Sequence, residues 1–136
     1  MAIKVVYSNS CIPQERVDFA DSTYKWYLDS DSSKKMSGRC EPTVTIATTY
    51  YGIGTLAASG TDYLESSDNT LGNATSVNFA HIKNTGEYDL TINIANRGAR
   101  ILLGEDESLA LQLNDSKVAL TSTLGTNYEY FLGKDA

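Results

Sequence analysis

Side chains that commonly carry chemistry are scarce in this sequence. One histidine, His81, and two cysteines, Cys11 and Cys40, occur in 136 residues. A zinc site normally takes three or four His, Cys or carboxylate ligands. These three residues stand at no motif spacing, so neither a metal nor another cofactor is expected, and His81 reads as a structural histidine inside a strand. A lone histidine also weakens any Ser-His-Asp or Cys-His centre, and no G-x-S-x-G is present. Two cysteines make no disulfide framework. In a reducing cytosol both are expected as free thiols.

Proline is scarce too, two against ten glycines, which excludes a Pro-rich linker or a collagen-like chain. No apolar run approaches the roughly 18 residues that cross a bilayer as a helix, so no membrane partner is expected. The N-terminal MAIKVVYSNS has only a short apolar run and no small-residue cleavage site, so no secretion signal is read there. Eleven basic residues face seventeen acidic ones, a net charge of −6, and the basic residues form no long run. Binding phosphates needs a positive surface, so direct contact with nucleic acid is not expected.

What the chain does have is alternation. From Val77 to Leu132, short apolar runs alternate with polar turn clusters without a helical interruption. Val77 to Lys83 forms a strand ended by Asn84-Thr85-Gly86, residues that suit a turn. In Tyr88 to Ala95, Leu90, Ile92 and Ile94 point one way and Thr91 and Asn93 the other. Asn96-Arg97-Gly98 turns the chain into Ala99 to Leu103, and Gly104-Glu105-Asp106 turns it again. Leu109, Leu111 and Leu113 share a face, which predicts that all three enter the core. After Asn114-Asp115, Val118 and Leu120 alternate in a fifth strand, and Tyr128, Tyr130 and Leu132 in a sixth. The fold class is therefore all-β, an antiparallel β-sandwich or jelly-roll-like barrel with a polar N-terminal arm or excursion. Residues 1–136 are one domain's length, with 8–42 as an arm or extended segment.

The first half is less regular. Ile3 to Tyr7 reads as a strand broken by Ser8-Asn9-Ser10 and Pro13. Gln14 to Leu28 fits a helix face through Val17, Ala20, Tyr24 and Leu28. It also fits two strands around Asp21-Ser22, and the all-β remainder favours the strands. Asp29 to Gly38 is a polar connector, and Thr43 to Tyr51 is a strand rich in β-branched and aromatic residues. Gly52-Ile53-Gly54 reads as a bend or bulge, without the third glycine and helix of a phosphate cradle. Ala57 to Asn73 is a long polar excursion of the kind that often forms a functional surface.

Acidic residues gather at Asp29 and Asp31, at Asp62, Glu65 and Asp68, and at Glu105, Asp106 and Glu107. Paired carboxylates can cleave glycosides or hold calcium. No calcium-loop pattern is present, and each cluster reads as a solvated turn. Asn73-Ala74-Thr75 and Asn114-Asp115-Ser116 match the glycosylation triplet and carry little without a secretion signal. The mild excess is aromatic: nine tyrosines and one tryptophan. Such rings anchor interfaces, having a rigid apolar body and a polar tip. Tyr24, Trp26, Tyr27, Tyr50, Tyr51 and Tyr63 are the candidate partner contacts.

Ile82-Lys83-Asn84-Thr85-Gly86, Leu103-Gly104-Glu105-Asp106-Glu107-Ser108-Leu109 and Tyr128-Glu129-Tyr130-Phe131-Leu132 together carry a resemblance. The stretch from Phe79 to Lys134 resembles small β-sandwich structural proteins of tailed bacteriophages, which show such a strand end, hairpin, acidic turn and final strand. Asp106 stands where those chains commonly have a second turn glycine. The resemblance carries no functional residue over. It implies a non-enzymatic structural protein of a virion, foremost a capsid-associated decoration or cement protein that binds neighbouring capsid subunits. A neck, tail or baseplate component and a carbohydrate-binding module are the alternatives. Implied partners are the major capsid protein or other virion proteins, with this chain as a homo-oligomer or multicopy lattice. The implied location is the virion, after synthesis in the host cytoplasm.

Overall fold

A computed structural model describes residues 2–11, 14–28, 38–40, 43–95 and 97–135, and these hold strands and turns but no helix. They divide into two compact units, one of Met1–Val5 with Thr43–Ala136 and one of Val6–Pro42.

In the larger unit β1 (Ile3–Val6) pairs with β6 (Thr43–Ile46). Eight further strands follow: β7 (Thr48–Leu56), β8 (Gly60–Tyr63), β9 (Val77–Asn84), β10 (Leu90–Ile94), β11 (Ala99–Leu103), β12 (Ser108–Ser116), β13 (Val118–Ser122) and β14 (Thr126–Lys134). They form two four-stranded sheets, β11-β10-β13-β8 and β12-β9-β14-β7. Every pairing is antiparallel and nested: β10 with β11, β9 with β12, β8 with β13, β7 with β14. The chain runs out through four strands and returns through four, a rolled double ribbon with jelly-roll topology. The all-β sandwich read from the alternation is the fold.

The core follows the period of two. Leu90, Ile92 and Leu120 from one sheet meet Ala80, Ile82 and Leu132 from the other, all fully buried. Leu109, Leu111 and Leu113 only partly join them. Their strand, β12, is the edge of its sheet, so the expectation of a deeply buried Leu111 is corrected to a half-buried one.

Local readings from turn residues needed more correction. Gly52-Ile53-Gly54 is neither bend nor bulge but the middle of β7, in unbroken register with β14. A Cβ on Gly52 would lie 2.5 Å from the Tyr130 ring, and on Gly54 2.4 Å from the Tyr128 hydroxyl. Glycine is there because tyrosine rings from the next strand lie across it. Thr43 to Tyr51 is two strands, parted at Ala47. The first strand breaks at Tyr7-Ser8, Asn9 and Ser10 already belong to a new strand, and Pro13 lies outside the described residues. The 57–73 excursion contributes β8, and Ser66 bridges to Ala74. Asn114-Asp115 stays within β12, where the register shifts between Gln112 and Ser116 and Asp115 takes φ 48°. Asp106 at φ 61° occupies the left-handed position a turn glycine would fill, and the Glu107 carboxylate accepts from the Gly104 N–H at 2.7 Å.

The smaller unit holds two antiparallel pairs, β2 (Asn9–Cys11) with β5 (Gly38–Cys40) and β3 (Gln14–Asp18) with β4 (Tyr24–Leu28). Cys11 is paired with Gly38 and Cys40 with Asn9, so the cysteines are not opposite each other. Gln14 to Leu28 is extended, as two strands. Of the connector read at 29–38, residues 29–37, with Asp29 and Asp31, lie outside the described residues, as does Asn96, and Gly38 begins β5.

Candidate functional site

The β3–β4 hairpin turns through Phe19 to Thr23. Phe19 N–H donates to Thr23 O at 2.9 Å, and the Asp21 carboxylate accepts from the Thr23 N–H and hydroxyl. Those bonds hold the Asp21 carboxyl below its ordinary value, the Thr23 hydroxyl first. The register places Arg16 opposite Trp26 and Asp18 opposite Tyr24. Alternation therefore collects Arg16, Asp18, Tyr24 and Trp26 on one face, with Val17, Lys25 and Tyr27 on the other. The Arg16 guanidinium lies 4.0 Å over the Tyr24 ring and its Nε donates to Asp18 Oδ1 at 2.8 Å. Tyr24 meets Trp26 edge to face, centroids 6.4 Å apart and planes at 86°. Trp26 is 57% exposed. A two-stranded ribbon has no interior, so its rings stay in solvent unless something covers them.

The other expected contacts separate by parity. Tyr51 lies opposite Phe131 and Tyr50 opposite Leu132. Leu132 is core, so Tyr50 turns inward and packs against the hydrophobic cluster, while Tyr51 is exposed. Tyr50 is thereby removed from the exposed set. Tyr63, on β8 opposite Ala119, is half-buried. Around Tyr51, the outer face of the sheet carries Ile53, Phe131, His81, Lys83 and Glu129. Tyr51, His81, Lys83, Glu129 and Phe131 line a shallow dip of about 50 Å³ there. His81 is exposed on that face, in β9 as expected.

A further surface was not legible beforehand. A groove of about 470 Å³ is bordered by Tyr88, Leu102 and Leu124 together with Glu87 and Asp89. The three apolar residues are well exposed. Leu102 sits inside the run Ile101-Leu102-Leu103, where continuous hydrophobicity hides which residue turns outward. Tyr88 and Leu124 lie between strands, where periodicity gives no face.

The acidic cluster of the 57–73 excursion is dispersed rather than pooled. The Tyr128 hydroxyl donates to Asp62 Oδ2 at 2.7 Å and the Tyr130 hydroxyl to Glu65 Oε1 at 2.6 Å. The two rings stack with centroids 6.1 Å apart. Asp68 accepts instead from the Thr70 hydroxyl at 2.6 Å and the Asn73 amide at 2.7 Å, which hold its carboxyl below the ordinary value. Asn69 donates to Thr61 O and accepts from the Tyr63 N–H. Asp62 and Glu65 thereby tie β8 and the excursion to β14, Asn69 ties the excursion to β8, and Asp68 braces the excursion internally. Among the described residues no three His, Cys, Asp or Glu side chains are grouped to hold a metal.

The tyrosine–carboxylate clasp predicts a pH effect. Burial first, and then the hydrogen-bonded carboxylate, hold both phenols well above their ordinary value of 10.0. Below that value both folded and unfolded chains keep these protons, and the clasp contributes in full. Above it the unfolded chain releases protons that the folded chain retains, so stability falls as pH rises. Urea melts should show this alkaline loss. The paired Tyr128→Phe and Tyr130→Phe substitutions should flatten it, and an unchanged alkaline slope would refute the assignment.

No protein-family model matches the chain, and no curated protein matches it. One solved structure, described as an ethanolamine utilization protein Q from Salmonella typhimurium LT2, is similar at a TM-score of 0.42 and 8% identity, over 94% of this chain and 99% of that one. A likeness at that level assigns this chain neither activity nor partner.

Proposed function

We propose that this protein is a non-enzymatic adhesion component of a tailed-phage particle, foremost a capsid decoration or cement protein bound to neighbouring capsid subunits. The observation that carries the reading is the β3–β4 hairpin, which exposes Tyr24 and Trp26 on one face and Tyr27 on the other. Rigid rings of this kind bury large area at low entropic cost when a protein surface covers them. The acid-turn and strand pattern of the C-terminal half supports the virion context. A neck, tail or baseplate position uses the same contacts. The carbohydrate reading fits less well. A flat sugar platform wants coplanar rings, and Tyr24 and Trp26 stand at 86°.

Trp26→Ala is the test. With the ring 57% exposed, the substitution should change the melting of the isolated protein little. Incorporation into particles should fall severalfold. Normal incorporation by a stably folded Trp26→Ala protein would overturn the reading. Copy number from electron cryomicroscopy of the particle separates the positions, since hundreds of copies mark the capsid and six or twelve the neck or tail, as lattice and ring symmetries require.

A further inference from the structure

The two sheets of the sandwich end in four edge strands: β11 and β8 in one, β12 and β7 in the other. An exposed edge offers unpaired backbone N–H and C=O groups, and proteins that remain monomeric blunt such edges with short strands, charge, proline or bulges. Three of the four are blunted. β8 has four residues, Gly60 to Tyr63, and carries Asp62. β11 has five and carries Arg100. β12 shifts register between Gln112 and Ser116, where Asp115 takes φ 48°.

β7 has none of these devices. Its nine residues, TTYYGIGTL, contain no charge and no proline. Its pairing to β14 runs unbroken from Thr48 to Leu56. The other side has no strand partner among the described residues. Tyr51 is 67% and Ile53 71% exposed on its outer face.

The strand is also complementary to itself. In an antiparallel pairing centred on Gly52, Tyr51 of each copy meets Ile53 of the other, twice across the two-fold axis. Thr49 likewise meets Thr55, and Gly52 meets Gly52. Aromatic–β-branched and Thr–Thr pairs are favourable cross-strand neighbours, and no like charges oppose one another. A two-fold seam is closed, so it yields a dimer rather than a fibre.

We infer that β7 is a self-association edge, which joins two copies of this chain into a dimer through an antiparallel β7–β7 seam centred on Gly52. The inference rests on the strand's sequence and free edge, and not on the virion reading. The seam makes one eight-stranded sheet from two four-stranded ones. Among the described residues it covers the one undefended edge of the two four-stranded sheets, and it lays the exposed Tyr51 and Ile53 side chains against each other.

Mass measurement by sedimentation, across a dilution series, tests this. The wild-type protein should reach twice the 14.8 kDa chain mass. Two variants differ only in the sign at position 51. Tyr51→Lys with Ile53→Lys sets ammonium groups opposite each other at both outer pairs, and should weaken dimerisation by about tenfold or more. Tyr51→Glu with Ile53→Lys sets opposite charges there, and should restore the dimer. In both variants the lysine at 53 faces Glu129 of β14 within its own chain, which favours folding. A wild-type mass of one chain at every concentration overturns the inference, as does a doubly lysine-substituted protein that dimerises like wild type. A Tyr51→Glu, Ile53→Lys protein that stays monomeric overturns the register. Should either variant fail to fold, amide exchange of the wild-type protein decides. Protection of β7 amides that rises with concentration supports the seam, and protection independent of concentration overturns it.

Discussion

Asn84→Ala should destabilise the protein by about 3–5 kcal/mol, the largest loss expected from any single side-chain truncation outside the apolar core. Asn84 is fully buried at the end of β9. Its amide nitrogen donates to Tyr88 O at 2.7 Å and Leu103 O at 3.1 Å. Its amide oxygen accepts from the Gly86 N–H at 3.1 Å and the Thr126 hydroxyl at 2.9 Å. One side chain thereby joins β9 to the turn that follows it, to β11 and to β14. Alanine would leave two carbonyls, an N–H and a hydroxyl without these partners, each costing about 1–3 kcal/mol where water cannot reach. Water entering the vacated space offsets part of the sum. Asn84→Asp is the sharper comparison. It keeps the shape and the acceptors but turns an anion towards two carbonyl oxygens, and it should be no better tolerated than alanine at neutral pH. Denaturant melts measure both, and a loss below about 1 kcal/mol for alanine would refute the hub.

Leu120→Ala should cost about 2–5 kcal/mol, whereas Leu111→Ala should cost clearly less, roughly 1–2 kcal/mol. Leu120 is fully buried on β13, a strand with neighbours on both sides, β10 and β8. Truncation there opens a cavity that surrounding strands cannot collapse into. Leu111 sits on β12, an edge strand, and is only partly buried. Solvent fills much of the space its side chain leaves, so the transfer term is smaller and the cavity term largely vanishes. Domains of this size are stable by only about 5–15 kcal/mol, so the Leu120 variant loses a substantial share of the total. Equal losses in the two variants would show that the β12 face is buried as deeply as the β13 face.

The same comparison shows how far the chain's own pattern reaches. Leu90, Ile92 and Ile94 and Leu109, Leu111 and Leu113 are indistinguishable as alternating triplets. Period two says which residues share a face, because successive side chains on a strand point oppositely. It does not say whether the strand has a neighbour on one side or on both, and that decides depth of burial. Tyr50 and Tyr51 show the same limit within the candidate site. One of two adjacent tyrosines had to turn inward, and pairing with Leu132 rather than Phe131 made it Tyr50.

What the sequence determined by itself was local: the all-β class, most strands from Val77 onward, and the grouping of Tyr24, Trp26 and Tyr27 on one short stretch, while Gln14 to Leu28 fitted a helix as well as two strands. Strand alternation and turn chemistry act between residues close along the chain, so they can be read there. The tertiary structure decided what depends on distant partners. Asn84 reads as a turn residue, yet its four bonds need Leu103 and Thr126 brought alongside. Gly52 and Gly54 read as a break, yet they mark a continuous strand, because the rings of Tyr130 and Tyr128 occupy the space their side chains would take. A missing Cβ has the same appearance in a sequence whether it frees the backbone to turn or makes room for a neighbour, and only the neighbour's arrival tells the two apart.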